Sequence, residues 1–334
     1  MPLTFDPEFA ALAGPAAALL SKMSTLPAGD VEGRRAIQQS LFQPRPNASE
    51  SSPGSVPFSE SVKCTVYHAR NGTDANPVTI YAYTPKPALT MTAENDKDKL
   101  KSTAAILHFH GGGYIMGSAA EQRIIPSTLA HLSHTPIFDV EYRLAPEHPY
   151  PAPLDDAYTA LTWLIFHAEE LGIDSRRIAV MGSSSGGGIA AALALLARDR
   201  GLSPGLARQI LIYPMMDDRN VAPIQGIEDV AVWKSIDNET GWNAYLGEPA
   251  GDVPIYAAPA RTTDLAGLPD AYIEVGMLDI FRDECLSYVQ RLAQAGVQTE
   301  FHLWPGVPHG FEMAQSARVT RAAMEMRVRA MTSF

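Results

Sequence analysis

A serine flanked by glycines lies between a strand-like and a helix-like segment of the chain. Residues 182–186 read Gly-Ser-Ser-Ser-Gly, after the apolar run 178–181 and before the Ala/Leu-rich stretch 189–197. A sharp turn from a strand into a helix presents a hydroxyl at its apex, and glycines two positions before and after it let the backbone close tightly. Only Ser184 has glycine at both positions, so it is the candidate nucleophile.

A Gly/Ser loop ahead of a helix is also typical of a simple helix start or of a phosphate-binding loop. No lysine follows these glycines, which disfavours the phosphate-binding loop. The apolar segment before the turn and the helical pattern after it favour the nucleophile.

A run of glycines supplies candidate donors for the oxygen of a bound carbonyl group. Residues 111–113 are all glycine and follow the strand-like run 104–107. Glycines leave backbone N–H groups uncovered, as an oxyanion hole requires. The predicted donors are the N–H groups of Gly111 and Gly112, with that of Ser185, the residue after the nucleophile.

Two histidines beside these glycines leave an alternative open. His108 and His110 are two residues apart, so on a strand they share a face and could begin a metal site. The other interpretation of the segment is a flexible turn. No further ligand cluster lies nearby in the sequence, and we predict no metal.

The candidate base and its carboxylate partner lie near the C-terminus. Asp279 follows the strand-like run 271–275, and His309 follows the run 301–304 within a Pro/Gly-rich loop. Both lie just past the carboxyl ends of predicted strands, where open α/β sheets bind ligands. We predict that His309 takes the proton of Ser184 and that Asp279 orients the imidazole.

Two further acidic residues compete with Asp279. Asp283 and Glu284 follow it closely, but acidic residues are favoured in the first turn of a helix. They are predicted to begin the helix that continues to residue 295, which leaves Asp279 as the carboxylate partner.

Five short motifs occur in an order that is typical of one enzyme family. They are His-Gly-Gly-Gly at 110–113, Tyr-Arg-Leu-Ala-Pro-Glu at 142–147, the serine turn at 182–187, the acidic segment 279–284 and His-Gly-Phe at 309–311. With these motifs the chain resembles the hormone-sensitive-lipase-like carboxylesterases, within the α/β-hydrolase superfamily. The chain order serine, acid, histidine is the one expected of α/β hydrolases.

The resemblance implies an α/β-hydrolase fold with a mostly parallel eight-stranded sheet, flanking helices and a helical cap. It implies hydrolysis of carboxylic esters of short to medium chain length through an acyl-enzyme on Ser184, with water activated by His309 and no cofactor. The partner is then a small-molecule ester, and homodimers are common among proteins of this family.

The chain departs from the family at the serine turn. The family usually has Asp or Thr at position 183 and Ala at position 185, and both are serine here. In the family's pattern the segment after residue 141 braces the glycine loop, so Arg143 and Glu147 are interpreted as structural support.

Strand-like and helix-like segments alternate after residue 60, which predicts a mostly parallel sheet covered by helices on both faces. The first two strands are predicted to pair as a hairpin across the loop that holds Asn71 and Gly72. The Ser/Pro-rich segment 44–57 is predicted to be a linker or loop. The predicted strands are 63–69, 78–84, 104–110, 137–143, 177–182, 209–213, 271–276 and 299–304.

Two segments interrupt this alternation, and the resemblance implies that both belong to the cap. Residues 1–50 carry Ala/Leu-rich helical patterns and form its N-terminal part, and an insertion at about 218–257 forms the rest. Residues 51–334 would form the catalytic domain around that insertion. Five side chains are candidates for pocket walls, with ordinary core packing as the alternative: Tyr114, Met215, Met216, Trp233 and Trp242.

The composition restricts the class of protein. A formal net charge of -11 argues against nucleic acid as a partner. No apolar stretch is long enough to span a bilayer, and residues 1–30 lack the pattern of a secretory signal. The two cysteines, Cys64 and Cys285, are far apart and are predicted to be reduced thiols in a cytoplasmic protein.

Two other functions use the same residues. A ligand-binding receptor can keep a hydrolase fold and lose turnover, although such proteins typically break the triad. An amide or carbamate hydrolase, or an acyltransferase, shares the machinery, since the leaving group and acceptor depend on the shape of the pocket.

Overall fold

The computed structural model describes residues 3–42, 61–70, 77–86, 103–247 and 252–334. The predicted linker 44–57 and the predicted hairpin loop at Asn71 and Gly72 lie outside these residues.

One sheet of eight strands forms the centre of the structure. The strands are β1 Val62–Ala69, β2 Val78–Pro85, β3 Thr103–Phe109, β4 Ile137–Glu141, β5 Ile173–Ser183, β6 Arg208–Ile212, β7 Asp270–Gly276 and β8 Thr299–Trp304. Their order in the sheet is β1-β2-β4-β3-β5-β6-β7-β8. β2 is antiparallel to β1 and β4, and every other neighbouring pair is parallel. The prediction of a mostly parallel sheet is confirmed, and the eight predicted strands correspond to the observed ones.

Helices flank the sheet. Those of the described residues are α1 Pro7–Leu20, α2 Val31–Phe42, α3 Ile124–Ser133, α4 Ala152–Phe166, α5 Ser185–Asp199, α6 Ser235–Leu246, α7 Arg282–Gln294 and α8 Arg318–Thr332. α3 contacts α8 and α4 contacts α5, and both pairs also contact strands. α5, which follows the serine turn, is buried along residues 185–197, where its alanines and leucines pack against neighbours on all sides.

The N-terminal helices contact the insertion between β6 and β7 through polar groups. Arg34 of α2 donates to Asp237 of α6 at 2.9 Å, and neither side chain is exposed. The backbone N–H of Gly29 donates to the hydroxyl of Thr240 at 3.1 Å. Asp237 also accepts from the hydroxyl of Ser24. Two segments far apart in sequence are therefore joined around one buried ion pair.

No helix within the described ranges is both long enough and apolar enough to cross a membrane.

Replacing Asp237 by alanine is expected to lower the free energy of unfolding by about 3 kcal/mol, because the Arg34 guanidinium would stay buried without its counter-charge. Denaturant unfolding followed by circular dichroism measures the change. The matched control is Asp174→Ala, which breaks a 3.0 Å pair with Arg176, whose side chain is 79% exposed. That control is expected to cost clearly less, because water screens the exposed pair. Equal losses in the two variants would contradict the prediction.

Candidate active site

Ser184 lies at the apex of the turn between β5 and α5. Its backbone has φ 56° and ψ -123°, a conformation that a residue with a side chain rarely adopts. A Cβ atom at Gly182 would lie 2.1 Å from the carbonyl oxygen of Gly186, so only glycine fits there. The local sequence therefore forms the tight turn that its glycine spacing predicts.

The structure brings the three predicted catalytic side chains together. Ser184 Oγ lies 2.9 Å from His309 Nε2, and His309 Nδ1 lies 2.7 Å from Asp279 Oδ2. Asp279 is fully buried, and its other oxygen accepts from the backbone N–H of Phe281 at 3.0 Å. A carboxylate only accepts hydrogen bonds, so Nδ1 carries the proton and Nε2 is free to accept that of the serine.

Two aromatic rings flank the imidazole of His309. The ring of Tyr213 meets it edge-on at 4.5 Å between centroids, and the ring of Phe281 does so at 5.1 Å. The Tyr213 hydroxyl donates to Glu312 at 2.8 Å, and Glu312 pairs with Arg327 of α8. Burial raises the pKa of Tyr213, so the phenol remains a donor. The imidazole is thus held by packing as well as by its two hydrogen bonds.

Hydrogen bonds to the preceding backbone carbonyl groups fix the orientation of two of the predicted oxyanion donors. The carbonyl of His110 accepts from the Tyr142 hydroxyl at 2.7 Å, and the carbonyl of Ser184 accepts from Met215 N at 2.9 Å. In a trans peptide the next N–H points away from the carbonyl, so the N–H groups of Gly111 and Ser185 face away from these partners. A Cβ atom at Gly111 would lie 3.3 Å from Ser184 Cβ, which places this loop beside the serine.

The histidines of the glycine loop have partners within the protein. His108 Nδ1 lies 2.7 Å from Asp139 Oδ1, and His110 Nδ1 lies 2.9 Å from the carbonyl oxygen of Gly111. Burial lowers the pKa of His110, which keeps its imidazole neutral. These contacts support the loop and the adjoining strands.

The profile of a family described as alpha/beta hydrolase fold matches residues 106–313. The chain belongs to this family. The resemblance to the hormone-sensitive-lipase-like group is thereby confirmed, as is the fold that the resemblance implied.

The hydrolase is similar to several proteins that are named esterases. It is 39% identical to Esterase LipI of Mycobacterium tuberculosis over 62% of this chain and 65% of that protein. It is 37% identical to Carboxylesterase NlhH of the same species over 69% of this chain and 72% of that protein. The solved structure of a bacterial heroin esterase superposes with a TM-score of 0.81 at 34% identity, covering 98% of this chain and 97% of that one.

The side chains predicted as pocket walls are buried in the hydrolase, and their contact with substrate stays a prediction. The Tyr114 hydroxyl donates to the carbonyl of Met215 at 2.8 Å, and its ring lies 5.2 Å from that of Trp242. Met216 is also fully buried. Trp233 packs against the glycine loop: a Cβ atom at position 113 would lie 2.6 Å from its indole ring.

Arg143 and Glu147 lie in the supporting positions that the sequence indicated. Arg143 pairs with Asp156 at 2.7 Å. Glu147 pairs with Arg35 of α2, also at 2.7 Å, and Arg35 donates further to the carbonyl of Ile115 at 2.8 Å. The N-terminal helices are thereby bonded to the turn that follows the glycine loop.

Sequence reasoning missed a second role of Glu284. As predicted, this residue lies in the first turn of α7. Its carboxylate also accepts from the backbone N–H of Met216 at 2.7 Å and from the side-chain amide of Asn220 at 2.8 Å. Burial raises the pKa of Glu284. Glu284 therefore links the start of the insertion to α7, the helix that follows Asp279. No local sequence pattern reveals this contact.

The ion pair between Glu147 and Arg35 makes the stability of the folded state depend on pH. The guanidinium holds the pKa of Glu147 at about 2, below the ordinary value of 4.5. Folding lowers this pKa, so the pair stabilises the folded state when the pH is above the ordinary pKa of 4.5. The stabilisation is lost as the pH falls toward the lowered pKa of about 2. The difference in Tm between the hydrolase and Glu147→Gln should be constant above about pH 6 and shrink below about pH 4.5.

Thermal melts at a series of pH values measure this difference. The control is Glu121→Gln, at an exposed carboxylate, for which a small difference is expected at every pH. A Glu147→Gln difference that stayed constant down to about pH 3 would contradict the assigned pairing.

Proposed function

We propose that this protein is a serine carboxylesterase that cleaves short- to medium-chain esters with Ser184 as nucleophile, His309 as general base and acid, and Asp279 as the residue that orients His309. The observation that carries the proposal is the hydrogen-bonded series Ser184–His309–Asp279, with distances of 2.9 and 2.7 Å, beside the glycine loop. Carboxylic ester hydrolysis is the activity of this family's esterases, and the chain shares that reaction class.

The geometry supports a two-step reaction. His309 Nε2 takes the hydroxyl proton as Ser184 Oγ bonds to the ester carbonyl carbon, and the carbonyl oxygen becomes an oxyanion. His309 then returns the proton to the leaving alcohol as the C–O bond breaks, which leaves an acyl-enzyme. Water, deprotonated by the same nitrogen, attacks the acyl group, and the serine departs with the proton as the carboxylic acid is released.

In this proposal the oxyanion is stabilised by three backbone N–H groups, those of Gly111, Gly112 and Ser185. Such donors stabilise the transition state most when they are oriented beforehand, because no reorganisation is needed during the reaction. The hydrogen bonds of Tyr142 and Met215 to the adjoining carbonyl groups supply that orientation for two of them.

The preference for small substrates rests on what surrounds the serine. The N-terminal helices and α6 form the helical cap of this proposal: a Cβ atom at Gly241 of α6 would lie 2.7 Å from the carbonyl oxygen of Gly113. Trp233 packs on the same glycine. These contacts bring the cap close to the glycine loop, which supports a preference for small acyl groups. A relative with 35% identity, from Pseudomonas putida, is named ethyl acetate hydrolase.

A cytoplasmic location is part of the proposal. Both cysteines are free thiols in the structure, Cys64 exposed and Cys285 buried. Reduced thiols are typical of proteins in a reducing compartment.

A fluorophosphonate should label the protein once, at Ser184, because its hydroxyl is hydrogen-bonded to His309, the base of the proposed triad. Mass spectrometry of tryptic peptides locates the adduct. Ser183→Ala and Ser185→Ala, the neighbouring serines, are the matched controls and should still be labelled, whereas Ser184→Ala should not. An adduct on either neighbour would show that another serine is the nucleophile.

Turnover of p-nitrophenyl esters should be highest for short and medium acyl chains and weak for long ones. His309→Ala should reduce kcat by about 10³-fold or more while the variant still folds, since it removes the base of the triad. Release of p-nitrophenol is followed by absorbance, with the matching p-nitroanilides assayed beside the esters. Faster cleavage of the anilides would favour an amide hydrolase, and no turnover of any ester would favour a receptor.

A further inference from the structure

A buried glutamine outside the triad contacts the glycine loop. Gln122 lies just before α3 and is 6% exposed. Its side-chain Nε2 donates to the carbonyl oxygen of Gly111 at 3.0 Å. We propose that Gln122 is a positioning residue that orients the N–H of Gly112 toward the oxyanion; this inference rests on the proposed esterase function.

A single peptide group joins Gly111 to the proposed donor Gly112. This peptide is trans, so its C=O and N–H point in opposite directions. A side chain that holds the carbonyl oxygen therefore also sets the direction of the Gly112 N–H. Gln122 would thus act on the oxyanion through this peptide group.

Two donors converge on that carbonyl oxygen. His110 Nδ1 lies 2.9 Å from it, in addition to the amide of Gln122. Because burial lowers the pKa of His110, its ring is neutral and carries one N–H, which this contact uses. Donors from two different residues restrict the tilt of the peptide plane more than one donor does. Without Gln122 the carbonyl keeps one hydrogen bond, so the loop stays folded but its orientation loosens.

The surroundings of Gln122 are shaped for this contact. A Cβ atom at Gly117 would lie 2.5 Å from Gln122 Nε2, 3.0 Å from Gly111 O and 3.2 Å from His110 Nδ1. Gly117 also has a φ of +86°, in the region that favours glycine. The backbone N–H of Gln122 donates to Ser118 O at 3.1 Å, which fixes the start of the side chain. The side chains of Gln122 and His110 thus reach the carbonyl oxygen of Gly111 beside Gly117, where any larger residue would clash with them.

The decisive variant is Gln122→Leu, which keeps the approximate volume and removes the donor. We expect kcat for a p-nitrophenyl ester to fall about tenfold, less than the 10²–10³-fold loss typical of removing an oxyanion donor itself. KM should change less than about twofold, since the substrate carbonyl is not yet an oxyanion when it binds. The affinity for an alkyl boronic acid, which forms a tetrahedral adduct on the serine, should fall by the same factor as kcat.

A matched control separates this effect from general destabilisation. Gln209 is also buried, and its side-chain amide donates to the carbonyl oxygen of Pro269 at 3.1 Å, at the start of β6. Gln209→Leu removes a similar hydrogen bond at the amino end of β6, whereas Ser184 lies at the carboxyl end of the parallel strand β5. It should therefore lower Tm by a similar amount and leave kcat and boronate affinity unchanged. Equal losses of kcat in the two leucine variants would overturn the inference.

A second variant gives a readout that a purely structural role would not move. Gln122→Glu places a carboxyl group against Gly111 O: ionised, it repels that oxygen, and protonated, it can donate as the amide does. The ratio of its kcat to that of the wild type should therefore rise as the pH falls from about 8 to about 5. A ratio independent of pH, or a Gln122→Leu enzyme with wild-type kcat, would contradict the inference. If the wild type itself cleaved no ester, the proposed function would fail instead.

Discussion

The active site depends on one strained turn. The backbone of Ser184 lies in a region of φ and ψ that costs about 1–3 kcal/mol for a residue with a side chain, so the surrounding structure has to hold it there. Hydrogen bonds from both sides do so: Ser184 N donates to Ile212 O at 2.9 Å, and Ser184 O accepts from Gly188 N at 3.0 Å and Met215 N at 2.9 Å. Strand β6, its following loop and helix α5 thus contribute together to placing one hydroxyl.

The remaining site residues are attached to neighbouring strands at the same edge of the sheet. Asp279 follows β7, His309 follows β8, and the glycine loop follows β3, which is paired directly with β5. Parallel strands end at a common edge, so residues far apart along the chain meet there. The proposed nucleophile, base and oxyanion donors therefore lie on loops that leave the sheet at one common end.

The sequence predicted the parts of the fold and the site that follow local rules. Alternating apolar segments located the strands, and glycine spacing selected Ser184 from three adjacent serines. The start of β5 was predicted four residues late, at 177 instead of 173, because the exposed residues there interrupt the apolar run. Gln122 and Glu284 escaped prediction, since each acts on a backbone group distant in the fold and neither has a distinctive neighbourhood in sequence. Tyr213 and Arg327 escaped prediction for the same reason. Both contact Glu312, and these contacts form only when the chain folds.

The buried pair of Arg34 and Asp237 has a consequence for how the chain is made. The two residues are 203 positions apart, so during vectorial synthesis the arginine emerges from the ribosome long before its counter-ion. Domains generally acquire structure as they are translated, at about 5–20 residues per second. Until Asp237 has been synthesised, the guanidinium of Arg34 lacks the counter-ion with which it is buried in the folded protein. The N-terminal helices can therefore pack against α6 only after most strands of the sheet have been synthesised.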